Sequence, residues 1–171
     1  MSETVRPAPV WRRLAAALYD GLLLIALWMV TSLFDVMIRD SVNLARNFAA
    51  LQVLEFSIGL LFFGWFWIHG GQTLGMRVWR LQVRRPDGSP LRWPIAAVRY
   101  SVMILTWVAV VVPALMQSPQ IASHVQAGKA TAVAVIVALI AAVVMVLDSR
   151  RRALCDWAAG TEVVELPKKT A

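Results

Sequence analysis

The chain has 171 residues, of which 59% are hydrophobic and 16% are charged, and its formal net charge is +7. Ordinary soluble domains are about 45–50% apolar and about 25% charged, so the composition excludes a typical soluble protein and predicts an integral membrane protein. The basic excess does not predict nucleic-acid binding, because the arginines lie in blocks between apolar segments rather than along one water-facing surface.

Four apolar segments follow one another along the chain. A transmembrane helix needs about 20 mostly apolar residues to cross a hydrocarbon core about 30 Å thick. The predicted spans cover residues 14–34, 48–68, 94–116 and 131–147. They are too long and uninterrupted for β-barrel strands, which alternate over about ten residues. The sequence therefore predicts an all-α integral membrane domain of four transmembrane helices at 10–166, with a flexible arm at 1–9 and a flexible tail at 167–171.

Basic residues are distributed unequally between the connectors. The N-terminal arm, the connector at 69–93 and the C-terminal tail together carry thirteen Lys and Arg residues, whereas the other two connectors carry three. Because short cytoplasmic loops are enriched in Lys and Arg, we expect both termini and the 69–93 connector on the cytoplasmic side.

The connector between spans two and three begins GGQTLGMR, residues 70–77. A phosphate-binding P-loop has the pattern G-x-x-x-x-G-K-[ST], but here Gly71 and Gly75 have the wrong spacing and no Lys-Ser/Thr pair follows. We instead interpret Gly70 and Gly71 as the end of the second helix, because glycine readily adopts the left-handed cap conformation. Thr73 is then the N-cap of a short segment.

The second half of this connector has two alternative interpretations. MRVWRLQV places apolar residues among arginines, which is typical of an amphipathic segment at the headgroup boundary. Pro86, Asp87 and Gly88 form a turn signal. RLQVRR (80–85) and SPLRW (89–93) are therefore predicted to form a small cytoplasmic hairpin, to which GTEVVEL (160–166) adds a third strand.

Ionisable residues occur inside or beside the predicted spans, where a charge is costly and usually pairs within the helix bundle. Asp20 and Arg99 lie six and five residues into their spans, at a similar depth of about 8–9 Å, so we predict that they pair. Arg13 is predicted to pair with Asp156. This polar cluster either fixes helix register or forms an ion or proton pathway. Glu55 either lines an outer vestibule or bonds a neighbouring helix.

Other chemistry is sparse. The sequence shows no nucleophile–base motif, and no Cys/His cluster has the spacing of a metal site. Cys155, the single cysteine, is interpreted as a packed, unreactive thiol rather than one activated by neighbouring arginines. We therefore expect no enzymatic activity, no metal and no cofactor.

Three stretches in order resemble the RDD-domain family of multi-pass membrane proteins, named for an arginine and two aspartates. They are RRLAAALYDGLLL (12–24), GQTLGMRVWRLQVRRPDG (71–88) and RRALCDWAAGTEVV (151–164). The resemblance extends over about residues 10–165. It maps the name-giving residues to Arg13, Asp20 and Asp156, and Arg99 resembles the family's arginine entering the third span. The matching connector residues are Gly71, Thr73, Gly75 and Arg77.

The chain departs from the family pattern at two positions, with Met76 in place of a frequent Lys and Cys155 in place of a frequent His. Some family members have been linked to sodium/proton exchange, so the resemblance implies exchange of a monovalent cation through the cluster as one hypothesis. The alternative is a non-transporting assembly or accessory protein whose basic cytoplasmic face binds a protein partner or anionic lipid. Either protein would lie in a bacterial inner (plasma) membrane and could form a homo-oligomer.

Overall fold

The computed structural model describes residues 6–115 and 127–167. The predicted end of the third span at Met116, the beginning of the N-terminal arm and most of the tail therefore lie outside the described residues. Within them the chain forms six helices and three short strands. The helices are α1 (Val10–Ser41), α2 (Phe48–Gly70), α3 (Leu74–Val78), α4 (Trp93–Leu115), α5 (Ala127–Leu147) and α6 (Leu154–Ala159).

Three of these helices, α1, α2 and α4, are long and apolar enough to cross a membrane. Helix α1 has 32 residues and is longer than predicted at both ends. Its C-terminal extension is supported by an ion pair one helical turn apart, in which Arg39 Nε lies 2.9 Å from an Asp35 carboxylate oxygen. Arg39 also donates to the Ala45 carbonyl at 3.0 Å and so ties the following connector to the helix.

The glycine stop after α2 and the cap before α3 both form as predicted. Gly71 has a left-handed φ of +68°, and its N–H reaches the Trp67 carbonyl at 3.1 Å. The Thr73 hydroxyl accepts a hydrogen bond from the Met76 N–H at 3.2 Å. The reversal between α2 and α3 therefore follows from local backbone chemistry.

Three strands, β1 (Arg6–Pro7), β2 (Leu81–Arg84) and β3 (Glu162–Glu165), form an antiparallel sheet in the order β1-β3-β2. The predicted third strand is present, but the predicted pairing of 80–85 with 89–93 is wrong. Residues 89–92 form no strand, and β2 pairs instead with β3, with Gln82 opposite Val164.

Two physical reasons explain why β2 pairs with a distant strand. Leu81 and Val83 are fully buried in one cluster with Val163 of β3. Pairing with β3 therefore extends the apolar face of β2. After the turn at 86–88, Pro90 has no N–H to donate to a neighbouring strand, and the chain enters α4 at Trp93. Residues 89–92 are therefore poorly suited to pair with β2.

The long helices pack in the order α1, α2, α4, α5, while α3 packs on α1 and α6 packs on α4. The largest fully buried apolar side chains, Trp67, Tyr100, Leu81 and Val83, lie where the helices meet the sheet. Along the helices most apolar side chains face outward instead, and at most 17% of each spanning window is buried. The compact core therefore lies at one end of the molecule and positions the polar residues described next.

Candidate functional site

Asp156 is the centre of the first polar site, which comprises Arg13, Arg99, Asp156 and Thr161. Its carboxylate is completely buried and accepts hydrogen bonds from the guanidinium groups of Arg13 on α1 and Arg99 on α4. The Ala153 N–H donates to the same carboxylate at 2.9 Å, and Arg99 also donates to Thr161 Oγ1 at 2.6 Å. One side chain on α6 therefore joins the start of α1 to α4.

Opposite charges hold this site together in a water-poor environment. Burial alone would raise the pKa of Asp156, but the charges of Arg99 and Arg13 and the hydrogen bonds from Arg99 and the Ala153 N–H hold the pKa below its usual value. The Arg99 guanidinium also lies over the Trp67 ring, with its central carbon 4.9 Å from the ring centroid. The carboxylate is thus charged at neutral pH, and its two guanidinium partners are fixed in place.

Asp20 forms a second polar site, made of Asp20, Thr73 and Gly75. Its carboxylate is 4% exposed and accepts from the Thr73 hydroxyl and from the Gly75 N–H, the latter at 2.9 Å. The connector therefore folds back onto α1. Of the predicted pairs, Arg13–Asp156 is formed and Asp20–Arg99 is not.

The Asp20–Arg99 prediction is wrong because similar depth does not imply proximity. Helix α2 lies between α1 and α4 in the packing order, and the short helices α3 and α6 supply different partners to the two residues. Asp20 faces the α3 end of the connector, whereas Arg99 faces α6. Depth can be counted along a sequence, but the direction that a side chain faces depends on tertiary packing.

Gly75 allows this close approach of α3 to α1. A Cβ atom at this position would lie 2.5 Å from the Ala16 carbonyl oxygen and 2.9 Å from Asp20 Oδ1. Since the nearest obstacle is backbone, it cannot be relieved by moving a flexible side chain. The connector residue Arg77 does not join either site; its guanidinium lies 5.7 Å from the Phe66 ring centroid.

Glu55 connects α2 to α1 outside both sites. Its carboxylate accepts from the Ser32 hydroxyl at 2.7 Å, and its backbone carbonyl accepts from the Trp28 indole N–H at 2.9 Å. Of the two predicted roles, the structure therefore gives Glu55 the hydrogen bond to a neighbouring helix.

Two features of the Asp156 site had no clear signal in the sequence. Thr161 looks like an ordinary strand residue, yet it is fully buried and accepts from Arg99. Trp67 looks like one of several interfacial tryptophans, but it is 1% exposed and lies beneath Arg99. Burial also raises the pKa of the Cys155 thiol despite the opposing charge of Arg99, which agrees with an unreactive cysteine.

Comparison with known proteins agrees with this arrangement of motifs. Residues 7–160 match the RDD family. The chain belongs to the RDD family. Neither the curated proteins nor the solved structures gave a match. In this RDD protein the three name-giving residues are divided between two sites, since Arg13 and Asp156 pair with each other while Asp20 binds the connector.

Two surface cavities in the described part of this RDD protein lie away from both sites. One is a groove of about 310 Å³ beside the sheet, and the other is an apolar groove of about 660 Å³ on α1. Neither is lined by Asp20, Arg99 or Asp156. Because Asp156 is fully buried and Asp20 is 4% exposed, the polar sites are buried joints between elements.

Proposed function

We propose that this RDD protein is a non-transporting assembly or accessory protein of the membrane. In it the buried polar sites hold the fold together, and a basic face binds anionic lipid or a protein partner. The closed geometry of the Asp156 site carries this proposal, because a carboxylate with no exposed surface and two guanidinium partners is suited to fixing helices. A transport pathway would require access to the cluster from one side of the membrane.

The proposal includes four spans in a bacterial inner membrane, with both termini and the 69–93 connector in the cytoplasm. Helix α5 supports the fourth span, because it has 21 residues and contains an uninterrupted apolar run over Thr131–Leu147. The count of thirteen basic residues against three supports the orientation.

Cysteine labelling tests this topology. We expect Ser41→Cys, in a Cys155→Ala background, to react with a membrane-impermeant maleimide in intact spheroplasts. Ser149→Cys should react only after lysis, because α2, α4 and α5 would separate the two exposed positions. Labelling of both positions in intact spheroplasts would mean that one of these three helices does not cross the membrane. Labelling of Ser149→Cys in intact spheroplasts and of Ser41→Cys only after lysis would contradict the orientation.

The basic face consists of Arg77, Arg80, Arg84, Arg85, Arg92, Arg150 and Arg151. Among the described residues, four of these have no carboxylate oxygen within 4 Å: Arg77, Arg80, Arg92 and Arg151. Basic residues next to a membrane attract anionic lipid by about 1 kcal/mol each. This uncompensated charge supports a lipid- or partner-binding role.

Cation/proton exchange is the second candidate, and one observation favours it. Asp20 is a buried carboxylate that has no Arg or Lys nitrogen within 4 Å in the described ranges, and its partners are a hydroxyl and a backbone N–H. Such a group could bind and release a proton if a path to water opened.

Ion flux in proteoliposomes distinguishes the two candidates. We expect the wild-type protein to give no pH change when sodium, potassium or lithium gradients are imposed, and Asp20→Asn to behave in the same way. Asp35→Asn is the matched control, since Asp35 lies on the same helix but pairs with Arg39 outside the cluster. Flux that is present in the wild type and the control but absent in Asp20→Asn would overturn the proposal in favour of exchange.

A further inference from the structure

We propose that the groove beside the sheet is a binding site for the phosphate of an anionic phospholipid headgroup. The groove, called here the sheet groove, has a volume of about 310 Å³ and is lined by residues from all three strands and two loops. The residues that carry the argument are Pro7, Arg84, Pro86, Arg150 and Glu162. This inference rests on the proposed function and names the ligand and the site for its basic face.

Two arginines in the sheet groove share one carboxylate. Arg84 Nε donates to Glu162 Oε1 at 2.9 Å, and Arg150 Nη1 lies 3.6 Å from Glu162 Oε2. The group of three side chains therefore carries one uncompensated positive charge. Its guanidinium groups are accessible, because the side chains of Arg84 and Arg150 are 41% and 53% exposed while that of Glu162 is 12% exposed.

The hydrogen-bonding capacity of these arginines suits a phosphate. Arg84 uses Nε for Glu162, and its two terminal nitrogens have no hydrogen bond to any described residue. Among the residues that the structure describes, the Arg150 side chain is held only by the longer ionic contact with Glu162. A phosphate placed between them would receive donors from both guanidinium groups, which is the geometry that makes arginine a strong phosphate ligand. Glu162 would orient Arg84 but also compete with the phosphate.

The position of the sheet groove favours a lipid over a soluble ligand. Pro7 precedes the start of α1 by three residues, and Arg150 follows the end of α5 by three residues. The groove therefore lies at the level where apolar helices end. Trp11 and Trp157 are more than half exposed near this level, as expected for side chains in the headgroup region. In this layer the phosphates are those of the lipid headgroups, which are present at high local concentration.

Lipid titration of the purified full-length protein in detergent, followed by native mass spectrometry, tests the site. We expect phosphatidylglycerol to bind more tightly than phosphatidylcholine, and Arg150→Ala to weaken phosphatidylglycerol binding about fivefold. Arg92→Ala removes an arginine of the basic face that lies outside the groove, so it should weaken binding less than Arg150→Ala does. Arg46→Ala, which removes an exposed arginine between α1 and α2 outside the basic face, should leave binding unchanged. Glu162→Gln should strengthen binding, because it removes the competing carboxylate. A variant that only disturbed the structure would not produce that gain.

The outcomes separate this inference from the proposed function. Equal losses of phosphatidylglycerol affinity in Arg150→Ala and Arg92→Ala would overturn the groove as a specific site and leave a diffuse basic face. Unchanged affinity in Arg150→Ala, or weaker affinity in Glu162→Gln, would also overturn the groove without contradicting the proposed function. Displacement of the lipid by millimolar glycerol 1-phosphate would assign the groove to a soluble phosphate and overturn the lipid assignment. A wild-type protein without any preference for phosphatidylglycerol would overturn the site and leave protein-partner binding as the role of the basic face.

Discussion

Replacing Asp156 with asparagine should lower the free energy of unfolding by about 3–5 kcal/mol, the cost of leaving buried charge uncompensated. The asparagine side chain would have nearly the same size but would carry no charge opposite Arg13 and Arg99, whose side chains are 9% and 4% exposed. Since these guanidinium groups cannot lose their protons near neutral pH, they would remain charged in the interior. Unfolding in mixed micelles, followed by circular dichroism, measures the loss.

Asp35→Asn is the matched control for this measurement. It removes a carboxylate of the same type from an ion pair one turn apart on α1, and such pairs contribute less than about 1 kcal/mol. If both variants lost equally little stability, Asp156 would not be the joint between α1, α4 and α6. A large loss confined to Asp156→Asn would mean that mutating this site can abolish an activity through unfolding, without any role in ion movement.

Replacing Trp67 with alanine should cost about 3–5 kcal/mol by creating a cavity beneath Arg99. The ring is 1% exposed, stacks at a tilt on Phe63 with centroids 5.3 Å apart, and lies 4.9 Å from the Arg99 guanidinium carbon. Its removal therefore deletes both core packing and the cation–π contact of a buried charge. Thermal unfolding in nanodiscs is the appropriate measurement, because it preserves the lipid environment.

Trp65→Ala provides the comparison on the same helix, two residues away. Its ring is 57% exposed and stacks on His69, so its loss should change the melting temperature much less than the loss of Trp67. Equal effects would indicate that both rings act through the membrane interface and would contradict the packing role of Trp67. A Trp67→Phe variant should lie between wild type and Trp67→Ala, since it keeps an aromatic face below Arg99.

Both predictions concern the same end of the molecule, where a short C-terminal helix joins elements that are distant in sequence. Arg13 and Asp156 are 143 residues apart, and β3 pairs with strands from the N-terminal arm and from the connector. Loss of the Asp156 site should therefore loosen the sheet and, with it, the sheet groove. This coupling is the reason to measure lipid binding with Arg150→Ala, which lies outside the buried site, rather than with Asp156→Asn.

Features that depend on local chemistry could be predicted from the sequence. Long apolar runs specify helices of membrane-spanning length, Gly71 ends α2, and Thr73 begins α3, because each depends on residues within one or two turns. The three motifs also identified the family, and the charge of Arg13 together with its position gave the correct partner in Asp156.

The other contacts between distant groups could not be predicted, because they depend on tertiary packing. The pairing of β2 with β3, the assignment of Arg99 to Asp156 and of Asp20 to Thr73, and the burial of Trp67 beneath Arg99 all depend on helix order and rotation. A linear sequence gives the depth of a residue and the charge that it carries. It does not give the side from which a partner approaches, because that is set by the packing of α3 on α1 and of α6 on α4.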